Sequence, residues 1–355
     1  MADPQIEEAR RSWAARFANA GLDYNQVIRV LRSTDRWADW NDVWVHAGDE
    51  HADLARKYED EGRRFSGAEA WARATLCYRN AGYRWGLDEA KVRRAADRWV
   101  RSYQQAARLH DSEFERLEIP FDGGTIVANL RWPRDTSKAP LVFLTQGNDS
   151  TKENFFQREN ALLARGLATL SLDGPGQGEG GYTLPLMPDF ERPVTATLDF
   201  IAGHPHVDAN NVGIWGASLG GYFAPRAACF ESRITACISN GGPYDFAATW
   251  DRYPTESRQK FMHDVRMGDE QAARDYAGKF TLEGLLARYQ NPLLVIFGRK
   301  DEYMSWELAE RTAREAPNAE LFMHPEGNHC VQNFPHIVQP MQNDWLRKQL
   351  LGSYL

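Results

Sequence analysis

The sequence predicts an α/β architecture: a mostly parallel sheet with helices on both faces, preceded by a smaller all-helical domain. Three observations point there. After Asp111, short apolar runs alternate with helical stretches, the pattern of a parallel sheet covered on both faces. Before it, from Ile6 to about His110, strand signals are almost absent, and Ala, Arg, Glu and aromatic residues recur at helical spacing. The 355 residues also exceed the size at which one core usually keeps growing. We therefore expect a helical domain over residues 1–112 and an α/β domain over residues 113–355.

In the helical part, Trp37, Trp40 and Trp44 fall at i, i+3 and i+7, which predicts three indoles on one helix face. Further helices are expected over Ala52 to Glu61, Gly67 to Tyr83 and Leu87 to Leu109, with Gly62, Gly67, Gly82 and Gly86 marking ends. Seven of the twelve tryptophans precede residue 112, enough aromatic surface to form that domain's own core and to wall a pocket. Beyond it, Arg116 to Phe121 and Gly124 to Trp132 read as a hairpin turning at Asp122-Gly123. Strands follow at Pro140 to Thr145, Ala168 to Leu172, Val212 to Trp215, Ile234 to Ser239, Pro292 to Phe297 and Ala319 to Met323. Helices are expected near Glu153 to Arg165, Val194 to Ala202, Leu219 to Cys229, Trp306 to Ala316 and His336 to Leu351.

Composition narrows the function classes. The apolar fraction is 43% and the charged fraction 26%, ordinary for a globular protein. A formal net charge of -7 without a long basic run argues against nucleic acid as partner, since phosphate binding needs clustered Lys and Arg. No apolar run is long enough to cross a bilayer, and the acidic, polar start Met1-Ala2-Asp3-Pro4-Gln5 lacks the features of a secretory signal. A cytoplasmic location is expected. Cys77, Cys229, Cys237 and Cys330 are scattered, without metal-ligand or redox spacing, and are expected as free thiols. No cofactor or metal is implied.

The chemistry concentrates on Val212-Gly213-Ile214-Trp215-Gly216-Ala217-Ser218-Leu219-Gly220-Gly221. A strand runs into a Gly-x-Ser-x-Gly turn and a helix follows, a context in which small residues let the turn close and push the Ser218 hydroxyl out over the sheet. Ligands in such sheets bind at the carboxyl ends of the strands. At those ends, Asp301 follows the run Leu293-Leu294-Val295-Ile296-Phe297, with Glu302 as the competing acid. His329 lies in the loop after the last strand, with His324 as the competing base. His329 is preferred because the Gly327-Asn328-His329 turn can swing an imidazole toward Ser218, whereas His324 sits directly on the strand end. The order Ser, Asp, His is that of an α/β-hydrolase triad. Donors to an oxyanion are expected from the Leu219 N–H and from the loop Gln146-Gly147-Asn148-Asp149-Ser150, with Gly147 permitting close approach and Asn148 supplying its amide.

Asp173-Gly174-Pro175-Gly176-Gln177-Gly178-Glu179-Gly180-Gly181 contains a Gly-x-Gly-x-x-Gly match. A dinucleotide site is rejected on context: Pro175 interrupts the turn, no helix is expected at Gly181, and the preceding strand is not the first. The stretch resembles the Asp-x-Pro-Gly-x-Gly loop beside the active site of α/β-hydrolases. Together with Gly327-Asn328-His329-Cys330 and the segment Arg36-Trp37-Ala38-Asp39-Trp40-Asn41-Asp42-Val43-Trp44, these motifs make most of the chain similar to the bacterial dihydroxypseudooxynicotine hydrolase group and to fungal hydrolases that shorten polyketide pigment precursors. That resemblance implies an α/β-hydrolase with an amino-terminal helical cap. It also implies cleavage of a carbon–carbon bond next to a ketone in a small-molecule substrate, and a homodimer.

Between two core strands, the insertion Gly241 to Tyr289 carries Tyr244, Trp250, Asp251 and Tyr253, which are expected to face the substrate. Three functions stay open: a carbon–carbon hydrolase of an aromatic or polyketide-like ketone, an esterase, lactonase or carbamate hydrolase on the same triad, and a non-catalytic binding protein. An intact Ser218, Asp301 and His329 set disfavours the last.

Overall fold

The computed structural model describes residues 3–82, 88–134 and 136–354. The helix ends expected at Tyr83, Gly86 and Leu87 lie outside them. Contacts divide the chain into two compact units, residues 1–114 with 153–158, and residues 115–152 with 159–355.

The first unit holds α1 (Pro4–Ser12), α2 (Ala14–Asn19), α3 (Tyr24–Ser33), α4 (Trp40–Asp60), α5 (Arg64–Ala81) and α6 (Glu89–Leu109). Asp3, Asp23 and Asp88 cap α1, α3 and α6, each accepting a backbone N–H of the first turn with its carboxylate. Trp37 does not share a helix with Trp40 and Trp44: it lies in a separate 3₁₀ turn, Trp37–Asp39, before α4 begins. The indoles still cluster, Trp37 on Trp40 at 5.0 Å, Trp40 on Trp44 at 5.7 Å and Trp13 edge-on to Trp40 at 5.5 Å between ring centroids. Trp40 and Trp44 are fully buried. Each such ring contributes roughly 4–6 kcal/mol of transfer free energy before entropy is subtracted, so this unit has a core of its own. Phe156, from the distant 153–158 segment, packs on Tyr103 at 6.0 Å in a second, smaller cluster with Ala72, Ala106 and Ala107.

The second unit is an eight-stranded sheet of β1 (Glu113–Phe121), β2 (Gly124–Trp132), β3 (Ala139–Thr145), β4 (Ala168–Asp173), β5 (Val207–Ala217), β6 (Ile234–Asn240), β7 (Leu293–Gly298) and β8 (Ala319–His324). Their order is β1-β2-β4-β3-β5-β6-β7-β8. Only β2 against β4 is antiparallel among the pairs from β2 to β8. The β1–β2 turn uses Asp122 at φ 46° and Gly123 at φ 79°, both left-handed, as a two-residue hairpin requires. Strands β3, β4 and β7 are buried along their whole length; β3 and β7 accordingly read as near-continuous apolar runs, whereas β4 alternates and buries Thr169, Ser171 and Asp173. Strand β5 is longer than its apolar run and begins at Val207, because the polar Asp208-Ala209-Asn210-Asn211 stretch still pairs with β3 at Val207 and Asp208.

The connections are α7 (Phe156–Leu163), α8 (Glu191–Phe200), α9 (Gly220–Ala228), α10 (Thr255–Asp264), α11 (Glu270–Ala277), α12 (Trp306–Glu315) and α13 (Pro335–Leu351). Gly213 lets α13 lie close on the sheet, since a Cβ there would meet Leu346 at 3.0 Å and Leu350 at 3.1 Å. Among the described residues, no helix is long and apolar enough to cross a membrane.

Candidate active site

The nucleophile elbow is built by close backbone contacts that only glycine allows. A Cβ on Gly216 would run into the Gly220 carbonyl, and one on Gly220 would lie 2.5 Å from the Thr145 carbonyl oxygen. The strand-to-helix reversal puts Ser218 at φ 56°, a left-handed conformation rare for residues other than glycine. Two backbone hydrogen bonds hold it there: Ser218 N–H donates to Asn240 O at 2.9 Å, and Ser218 O accepts from Gly221 N at 2.7 Å.

The Asn240 carbonyl, at the carboxyl end of β6, also receives the Cys330 Sγ–H at 3.4 Å. One carbonyl therefore ties the elbow to the loop that carries His329. That loop is tight: Cys330 and Val331 stand at φ 56° and 54°. The Asp301 loop joins it through Lys300 N–H donating to Gly327 O at 2.8 Å and Arg299 N–H donating to His324 O at 3.0 Å.

Asp301 and His329 meet. Asp301 Oδ2 lies 2.8 Å from His329 Nδ1, while Oδ1 accepts the backbone N–H groups of Tyr303 at 2.9 Å and Met304 at 3.0 Å. With one carboxylate oxygen fixed by two backbone donors, the other is aimed at the imidazole. The competitors are placed differently: Glu302 is exposed, and His324 Nδ1 accepts the Glu326 N–H at 3.2 Å while its ring lies against Phe334 at 3.9 Å. Burial works against protonation of His329, but Cys330 and the Asp301 carboxylate outweigh it and hold the imidazole pKa well above the ordinary histidine range.

Gly147 stands directly against the elbow. A Cβ there would lie 2.9 Å from Ser218 Cβ, 3.0 Å from the Ala217 oxygen and 3.4 Å from Ser218 Oγ. Asn148 is buried, with its Nδ2 donating to Ser257 O at 3.2 Å. Leu219 is buried at the N-cap of α9, where a helix leaves its first N–H groups without intrahelical partners.

The four residues expected to face substrate separate. Tyr253 is buried with its phenol facing the Ser218 hydroxyl, and burial, followed by the Asp149 charge, raises its pKa far enough to keep it protonated. The other three are engaged elsewhere. Tyr244 donates its hydroxyl to Glu315 at 2.8 Å, with the Arg311 guanidinium over its ring. Trp250 packs into the core against Phe261 at 5.7 Å and Phe246 at 6.4 Å. Asp251 is exposed and pairs with Arg274 at 2.6 Å. Their spacing in the insertion carried no information about direction, because Trp250 and Asp251 lie in a 3₁₀ turn, Ala247–Arg252, while Tyr253 leaves it in extended backbone.

Sequence reasoning missed Tyr303. Its ring lies edge-on to His329 at 5.1 Å and 6.0 Å from Tyr253, so two tyrosines border the imidazole and the serine. Its position two residues after Asp301 was the available signal.

A family model described as "Esterase FrsA-like" matches residues 26–349. The chain belongs to this family. A curated relative, the 2,6-dihydropseudooxynicotine hydrolase of Paenarthrobacter nicotinovorans, is 30% identical over 350 residues, spanning 98% of this chain and 94% of its own. The crystal structure of the 2,6-dihydroxy-pseudo-oxynicotine hydrolase superposes with a TM-score of 0.88 at 28% identity, covering 96% of this chain and 97% of the other. The α/β hydrolase xenA of Xenoacremonium sinensis is 34% identical over 68% of this chain, which spans 59% of that fungal protein. This family member is an α/β-hydrolase-fold enzyme with an amino-terminal helical region, similar to the bacterial hydrolase across nearly its full length.

Proposed function

We propose that this hydrolase uses Ser218 as nucleophile, His329 as general base and Asp301 to fix the imidazole tautomer, and that it cleaves a carbon–carbon bond next to a ketone in an aromatic or polyketide-like substrate. The observation that carries the reading is the Asp301–His329 contact of 2.8 Å, beside an elbow that holds Ser218 at φ 56°. Ser218 Oγ adds to the ketone carbon and His329 takes its proton. The developing oxyanion is received by the Leu219 and Asn148 amides, an arrangement in which one donor is typically worth a hundredfold to a thousandfold in turnover, on the order of 10²–10³. Collapse breaks the bond to the adjacent carbon, whose charge is spread onto a second carbonyl or a phenol of the substrate, and this leaving group takes the proton held by His329. Water then releases the carboxylic acid and restores Ser218. Tyr253, protonated and facing Ser218, supplies a fixed O–H at the reacting carbonyl or the leaving enolate.

The full-length similarity to a hydrolase of an oxynicotine supports the ketone reading. The family description supports a second one, ester cleavage on the same three residues. An assay of purified protein against aryl 1,3-diketones and aryl esters separates them. Ketone cleavage should give one carboxylic acid and one methyl ketone per water consumed; ester turnover with no ketone cleavage across the panel would leave the esterase reading. In the same proposal, residues 1–112 form a helical cap domain and residues 113–355 the catalytic domain, acting in a cytoplasmic homodimer on a small molecule.

Two further results are expected. A base must be neutral to act, so kcat/KM should rise with pH through an inflection above the ordinary histidine value of about 6.5. In the folded state His329 holds its proton more tightly than in the unfolded chain. Protonation therefore stabilises the fold below the ordinary value, and that contribution is lost as pH rises through the raised one. A kcat/KM inflection at or below the ordinary value would contradict the assignment. Gly147→Ala places a methyl against Ser218 Cβ and Oγ and should lower kcat by roughly tenfold to a hundredfold through misplacement of the nucleophile and loop. Unchanged kinetics in this variant would show that the loop is not at the reacting centre.

A further inference from the structure

The glycine-rich segment after β4 matches a phosphate-binding pattern, yet its geometry serves the chain itself. A Cβ on Gly178 would run into the Asp173 carboxylate, one on Gly176 into the Leu186 backbone and one on Gly180 into the carbonyls of Asp173 and Gly174. Gly176 and Gly178 are left-handed, at φ 72° and 41°. The segment wraps around a buried acid. A 3₁₀ turn, Gly180–Tyr182, follows it, and the next α-helix starts only at Glu191.

Asp173 ends β4 and is buried. Its Oδ1 accepts Gln146 Nε2 at 2.7 Å and the Lys152 backbone N–H at 2.9 Å; its Oδ2 accepts Lys152 Nζ at 2.8 Å and the Glu179 N–H at 3.0 Å. Gln146 opens the loop that leaves β3, and Lys152 begins the 3₁₀ turn Lys152–Phe155 that follows it, so one carboxylate closes that loop at both ends. Gln177 adds a second hold, its Nε2 donating to Gln146 O at 3.1 Å and its Oε1 accepting Gly174 N–H at 3.4 Å. Lys152 also bonds Glu179 at 2.5 Å, and Arg116 pairs with Glu179 at 2.7 and 3.0 Å. These cations hold the Glu179 carboxyl below its ordinary pKa against the opposing effect of burial. Such a paired, hydrogen-bonded cluster is rigid, and removing one member leaves a buried charge uncompensated.

The loop so closed contains Gly147, within 2.9 Å of Ser218 at its missing Cβ, and Asn148. Gly147 adjoins the clamped Gln146, so a shift at the clamp moves the backbone that faces the nucleophile. We infer that Asp173, with Gln146 and Lys152, is a positioning residue that preorganises the oxyanion loop, and that the glycine segment exists to seat its carboxylate. The inference rests on the proposed role of the Asn148 amide.

The test uses the full chain with Asp173→Asn and Gln146→Ala; the second removes a single bond to the clamp and spares the fold if the first does not fold. Hydrogen exchange at Gly147 to Asp149 should accelerate at least tenfold in both folded variants, with exchange in the β5 and β6 amides unchanged. With 4-nitrophenyl acetate as probe, kcat should fall roughly tenfold to a hundredfold at unchanged KM, as expected for a misplacement near 1 Å. Unaltered exchange in Gln146→Ala, or unaltered kcat where the wild type turns the ester over, overturns the clamp. A wild type that does not hydrolyse the probe counts against acyl transfer at Ser218, and loop exchange alone then decides the clamp.

Discussion

Ser218→Ala is expected to lower kcat by at least about 10⁴-fold, because loss of a triad nucleophile leaves only what binding and the oxyanion donors contribute. The fold should survive. The bonds that hold residue 218 run through its backbone, N–H to Asn240 O and O from Gly221 N, and alanine keeps both. The strain at φ 56° is the same for serine and alanine, neither of which is favoured there. Steady-state kinetics with a thermal melt check this pair of claims. Near-normal turnover in a folded variant would remove Ser218 from the mechanism.

Asp301→Asn should cost about as much, on the order of 10⁴-fold in kcat, for a reason visible in its contacts. Oδ1 accepts two backbone N–H groups, from Tyr303 and Met304, so the amide oxygen of an asparagine must take that side. Its NH₂ group then faces His329 Nδ1 and forces the imidazole to carry its proton on Nε2, leaving no lone pair to accept the serine proton. The variant should also lose the raised histidine pKa, since the carboxylate charge that favours protonation is gone. A kcat loss below tenfold, with the acid limb of the pH profile unmoved, would contradict this role.

Much of the fold was legible in the sequence. Strands β3 and β7 announce themselves because a strand buried on both faces is largely apolar, and Gly216 and Gly220 announce the elbow because no side chain fits there. The three loops after β5, β7 and β8 follow from the alternation alone. What was not legible depends on direction or on pairing across the chain. Trp250 and Tyr253 lie three residues apart, yet one fills the core and the other faces Ser218. Phe156 packs with Tyr103 although the β1–β3 region separates them in sequence. Asp173 reads in sequence as part of an Asp-x-Pro-Gly-x-Gly loop beside the active site, and its hold on Gln146 and Lys152 appears only in the fold.

The most direct measurement is covalent. A fluorophosphonate mimics the tetrahedral intermediate and reacts only with an activated hydroxyl. Incubated with the wild-type protein and followed by peptide mass spectrometry, it should add one equivalent to Ser218, at a rate that rises with pH along the His329 limb. The same reagent should leave Ser218→Ala unlabelled. Stable addition at another residue, or none at Ser218 under conditions where the enzyme turns over substrate, would contradict the central assignment.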